Sequence, residues 1–181
     1  MPRQPAVLAA LLAPGSIESE IGKTQAALFS EHGCVSTQAL PPLIPLAFLD
    51  AARVDRSLLR EMNRAIAPGW RMRLIGTGWV AGHLFGRIDS AGAWSALREC
   101  AFDRCGSERE GLFPAAEGFY LGCSETPEEE RATINPPLPE LSFGSGTIVL
   151  MEISASEGPE WWRALSWEIS DQRPLRGRKE Q

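Results

Sequence analysis

The sequence predicts an α+β domain whose strands pair largely as hairpins, rather than a doubly wound parallel sheet. Three observations lead there. Short apolar runs are cut off early by Pro or Gly, as at Pro14-Gly15 and Pro68-Gly69. Only three segments carry a helical repeat. The last third of the 181 residues holds strand-like runs and no helical repeat. The expected order is strand, helix, strand, helix, two strands, helix, three strands. At 44% hydrophobic and 23% charged, the chain can bury a sizeable core as one domain, without metal or disulfide support.

Each element has a local cause. Residues 6–12 form an apolar run too short for a helix and read as a buried strand. Ser16 offers an N-cap to a first helix, with Ile17, Ile21, Gln25 and Leu28 on one face and His32-Gly33 as its stop. Pro41, Pro42 and Pro45 confine the next strand to a sheet edge or to its apolar end at 46–49, and Asp50 can cap the element after it. Val54, Leu58, Met62 and Ile66 repeat every four residues, with Arg53, Arg56, Arg60 and Arg64 on the exposed flank of a second helix. Strands are expected at 70–77 and 83–88 across a Gly-rich connection. Ser90 caps a third helix that buries Trp94, Leu97 and Ala101. Strands at 119–123, 147–153 and 162–169 complete the fold, the last two joined by a turn at 157–159.

Composition excludes several functions. With 18 Lys+Arg against 23 Asp+Glu the net charge is −5, which argues against broad electrostatic attachment to nucleic acid. No apolar run is long enough to span a membrane. The opening segment lacks a convincing cleavage site for a secretory signal. Cys34, Cys100, Cys105 and Cys123 contain no CxxC pair and, with His32 and His83, match no zinc spacing, so they read as small buried apolar residues of a cytoplasmic protein. Gly76-x-Gly78 and Gly144-x-Gly146 read as turns rather than phosphate loops, and Glu128–Glu130 as a solvated face. Trp94 and Trp167 read as core; Trp79 and the pair Trp161-Trp162 are the candidates for exposed stacking platforms. Residues 1–172 form the expected domain, and residues 173–181 a basic, mobile tail.

Three stretches resemble the 2H phosphoesterase superfamily, which contains 2′-5′ RNA ligase-like proteins and cyclic phosphodiesterases. They are the run from Ala6 through Pro14-Gly15 into the helix with Gln25 and Leu28, the stretch Leu43-Ile-Pro-Leu-Ala-Phe-Leu49, and the closing pair 148–154 and 161–165. The resemblance implies a bilobal α+β fold, with two antiparallel sheets flanked by helices around a central cleft. It also implies two His-x-Thr/Ser motifs facing across that cleft, one imidazole removing a proton while the other delivers one. Here the first motif falls on Leu43 and Pro45, and the second on Gly118 and Tyr120. Neither keeps its histidine. Tyr120 alone could still hydrogen-bond a ligand.

The first reading is therefore a non-catalytic member of that superfamily, needing no cofactor or metal, whose cleft binds a nucleotide, an RNA end or another small ligand. A second is an active phosphodiesterase or other hydrolase using Tyr120, Ser145, Thr147 or a relocated histidine. A third is an RNA-associated accessory protein using the tail and the Arg flank of the second helix. No membrane partner is expected.

Overall fold

A computed structural model of the chain describes residues 6–107, 111–156 and 160–176. The turn expected at 157–159 and the tail beyond residue 176 lie outside the described residues. Strand β1 (Ala6–Leu12) leads into helix α1 (Gly15–His32), and β2 (Ile44–Leu49) precedes α2 (Leu58–Ala65). The hairpin β3 (Met72–Val80) and β4 (His83–Asp89) is followed by α3 (Ala93–Cys105) and β5 (Gly118–Gly122). Strands β6 (Ser142–Phe143), β7 (Ser145–Ser154) and β8 (Ser166–Arg176) close the chain.

The strands form two antiparallel four-stranded sheets, one ordered β2-β1-β7-β8 and the other β5-β4-β3-β6. Alternation along β1 gives its sheet two buried faces. Val7, Ala9 and Leu11 join an outer core with Ile17, Ile21 and Leu28 of α1 and with Leu58, Met62 and Leu97 of the other helices. Leu8 and Ala10 point the other way, into an inner cluster shared with β4 and β5. That is why residues 6–12 are apolar throughout: a strand buried on both faces has no polar side.

The helical faces lie where the repeats place them, but the ends differ. Pro14, not Ser16, occupies the N-cap of α1, and the helix stops at Gly33 in the left-handed conformation. Helix α2 begins only at Leu58, because Asp55 accepts hydrogen bonds from the N–H and hydroxyl of Ser57 and ends the preceding loop there. Val54 therefore packs on the core from outside the helix. Gly92, in the left-handed conformation, occupies the N-cap of α3 instead of Ser90, whose hydroxyl accepts from Trp94 N at 3.1 Å from further back in the chain. Pro45 is tolerated within β2 because that strand is a sheet edge and a register shift opposite Ala9/Ala10 absorbs it.

Other expectations are corrected. Gly76-x-Gly78 lies inside β3 rather than in a connection; the true turn is Ala81-Gly82, both at positive φ (46° and 81°). Residues 161–164 form a 3-10 turn, so β8 starts at Ser166. It then runs to Arg176, pairing residues 173–176 with Ile148 to Ser145, because the antiparallel ladder continues past the last apolar position. Trp167 is 40% exposed on this edge strand instead of buried.

Candidate functional site

The inner faces of the two sheets are where a two-lobed enzyme would hold its reacting groups. All four positions of the expected motifs lie there or beside it, and all four are buried. Leu43 and Tyr120 have no exposed surface. Their strands touch directly, Tyr120 N donating to Leu43 O at 2.9 Å, which joins the edge β5 of one sheet to the run into edge β2 of the other. Pro45 contributes only its carbonyl, which accepts from Trp94 Nε1 at 3.1 Å. At Gly118 a Cβ atom would lie 2.6 Å from Gly86 O. No side chain fits that position unless the β4 backbone moves.

The space between the sheets is filled. Leu8, Ala10, Val149, Met151 and Ile153 from one sheet meet Phe85 and Tyr120 from the other. Phe113 and Trp161, from the two connections that cross this region, insert between them with 3% and 5% exposure. Phe113 is stacked on Tyr120 at 4.5 Å between ring centroids, meets Trp161 at 5.8 Å, and takes Phe48 edge-on at 5.2 Å. These offset and edge-on arrangements are those that aromatic pairs favour, each worth about 0.5–1.5 kcal/mol beyond the area buried. Trp161 is thus core, not an exposed platform; Trp162 is half-buried against it.

No protein-family model matches the sequence, and no curated protein matches it in sequence. Solved structures do match in fold. Escherichia coli LigT crystallised with 3′-AMP is 19% identical, with a TM-score of 0.62 over 95% of this chain and 99% of that one. LigT in its apo form gives 17% identity and 0.63 over 96% and 99%, and LigT with ATP 17% and 0.52 over 95% and 99%. The chain has the LigT fold. It is the α+β fold of two antiparallel sheets with helices that the three stretches of sequence implied.

Within this LigT fold one of the two histidines meets a motif position. His83, at the start of β4, lies with Nδ1 3.1 Å from the Tyr120 hydroxyl. Burial lowers its pKa to about 4, helped by the nearby Arg131 guanidinium and opposed by Glu125, so the imidazole is neutral at pH 7. Burial also raises the Tyr120 phenol well above its ordinary value, with the Glu125 charge adding to the effect. His32 ends α1 and is exposed; nothing joins it to His83. Glu125 is half-buried and accepts from Ser36 N at 2.9 Å and from the Ser36 hydroxyl, while Glu128–Glu130 are exposed as expected.

Cys34 and Cys123 are buried beside this group, and all four cysteines are free thiols. Among the described residues no cluster of His, Cys, Asp or Glu could hold a metal ion, and no helix is long and apolar enough to cross a membrane. Trp79 is half-buried under the Arg131 guanidinium, 5.4 Å from its ring, so that platform is occupied. Ser145 and Thr147 sit on β7, paired with Arg176 and Pro174 of β8. A groove of about 710 Å³ does exist elsewhere, between β3 and the proline-rich segment 135–142, but it contains none of the motif positions. Sequence reasoning missed Phe113 and Trp161 as fillers of the cleft and His83 as the partner of Tyr120. A lone Phe in a loop and a Trp-Trp pair after a turn carry no periodicity; only the folded topology brings them together.

Proposed function

We propose that this chain is a non-catalytic protein of the LigT fold, in which the reaction site between the lobes has become packed core. The observation that carries this reading is the set of four motif positions: Leu43, Pro45 and Gly118 supply no proton-transfer group, and Tyr120 is enclosed with its hydroxyl on His83. General acid–base assistance is typically worth about 10²–10⁴-fold per group, so the absence of both imidazoles removes most of the family's rate. Any nucleotide or RNA end that binds in the cleft does so by displacing Phe113 and Trp161. The half-buried Phe48, His83, Leu112 and Trp162 mark where it would enter. That LigT has been crystallised with 3′-AMP and ATP supports nucleotides as the first ligands to try. The free thiols support a reducing, cytoplasmic location.

The His83–Tyr120 contact is the one observation favouring an active hydrolase built on other residues. A neutral imidazole next to an enclosed phenol whose pKa is raised is a weak acid–base couple, and burial of the phenol keeps it from substrate. Incubation of the purified chain with a 2′,3′-cyclic nucleotide separates the two readings. No product above the buffer control is expected; turnover that disappears in His83→Gln would replace the first reading by the second.

A further inference from the structure

The segment that leads into and forms α2 carries Arg53, Arg56, Arg60 and Arg64, all exposed and three or four residues apart. The carboxylates nearest in sequence are committed elsewhere. Arg104, reaching over from α3, lies 3.1 Å from Asp55 Oδ2 and also contacts Glu61. Asp50 spends Oδ1 on Ala52 N at 3.0 Å. Among the described residues, no carboxylate stands within ion-pair distance of any of the four arginines. One arginine from a neighbouring helix has drawn off the acids of α2 and left its guanidinium groups uncompensated.

Strand β8 extends this face. Helix α2 packs on β8, and Leu175 is buried in the same outer core as Leu58 and Met62. Arg173 lies two residues from Leu175, on the same side of the strand, and is exposed with no ion pair among the described residues; the nearby Asp171 accepts from Gln172 N. Arg60 and Arg64, one turn apart, share the side of α2 opposite its buried Leu58 and Met62, on a molecule whose net charge is −5. At physiological salt a charge acts over about 8–10 Å, so a ligand lying on α2 responds to the charges within that distance rather than to the net charge of the chain.

We propose that this face binds the phosphate backbone of a single-stranded nucleic acid. Arg60 and Arg64 rise about 6 Å along the helix axis, forming a row that suits a linear array of charges better than a single anion. Guanidinium groups pair with phosphate oxygens in a two-pronged geometry. A membrane surface fits less well. A helix that lies on lipid must insert its apolar side, and Leu58, Leu59 and Met62 of α2 are all committed to the core. This inference stands apart from the cleft: it uses none of its residues and survives if the cleft proves active.

The test is fluorescence anisotropy of a labelled oligodeoxythymidylate with the full chain over a salt series. Binding is expected in the non-specific range, a Kd of about 10⁻⁴–10⁻⁶ M near physiological salt. Each phosphate contact contributes about −0.7 to the slope of log affinity against log salt, so Arg60→Ala/Arg64→Ala should flatten the slope by about 1.4. Arg163→Ala, on the far turn where Arg163 pairs with Glu160, serves as the control and should change nothing. Unchanged thermal unfolding of the double variant confirms that it folds. No binding at about 50 mM salt, an unchanged slope in the double variant, equal weakening by the control, or equal affinity for phosphatidylserine vesicles would each overturn the proposal.

Discussion

The outer and inner cores use the same strands in opposite ways. On the outer side, aliphatic residues from three helices pack on alternate residues of β1, β3 and β5, and the pairing is repetitive: helix stripe on sheet face. On the inner side no α-helix contributes among the described residues. The facing sheets are bridged there by rings delivered from loops, with the polar contact of His83 to Tyr120 among them. The outer core is what makes the LigT architecture; the inner one is what this sequence has done with it. The helices lie on the outer side of the sheets, so the packing of the inner side can vary without disturbing the helix-on-sheet contacts.

That contrast can be broken by mutation. The largest effect is expected for Phe113→Ala, which removes the ring stacked on Tyr120 and should cost about 3–5 kcal/mol, measured by denaturant unfolding. Leu97→Ala in the outer core should cost a comparable 2–5 kcal/mol or so, roughly the range for a buried leucine. Only the Phe113 change should also open the inner space, seen as a rise in the His83 pKa; equal behaviour of the two variants would erase the distinction. Next comes Gly118→His, which restores the motif's imidazole but drives its Cβ toward the Gly86 carbonyl. A loss of about 1–3 kcal/mol or more and no gain of phosphodiesterase activity are expected.

Smaller effects sharpen the picture. Tyr120→Phe deletes the hydroxyl facing His83 and leaves a buried ring nitrogen without its partner, for a loss of about 1–3 kcal/mol in thermal or chemical unfolding. The gentlest probe is pH. His83 has a folded pKa of about 4 against 6.5 for the free side chain, so between those values the unfolded chain binds more protons. The stability contributed by the neutral imidazole is complete above about pH 6.5 and declines as the pH falls toward 4. His83→Gln should flatten that part of the profile.

Much of the outer architecture was legible because its signals are periodic. Ile17, Ile21, Gln25 and Leu28 announce a helix face, and they line the buried side of α1. Val54 misled by continuing the period of α2 into a loop that Asp55 and Ser57 terminate. The strands holding Pro45, Gly118 and Tyr120 were also legible, with Leu43 just before β2. Their burial was not. Whether Tyr120 faces solvent or core depends on Phe113 and Trp161, which are separated from it by 7 and 41 residues and approach through irregular chain. Trp167 shows the reverse: an apolar residue in a strand pattern that ends up exposed because β8 is an edge.

The state of the inner space is reported most directly by the His83 imidazole, one of only two in the chain. A proton NMR titration, with His32→Gln to assign the signals, should give His83 a pKa of about 4. A value at or above about 6.5 would mean a hydrated imidazole able to exchange protons near neutral pH, and a cleft that is open rather than packed.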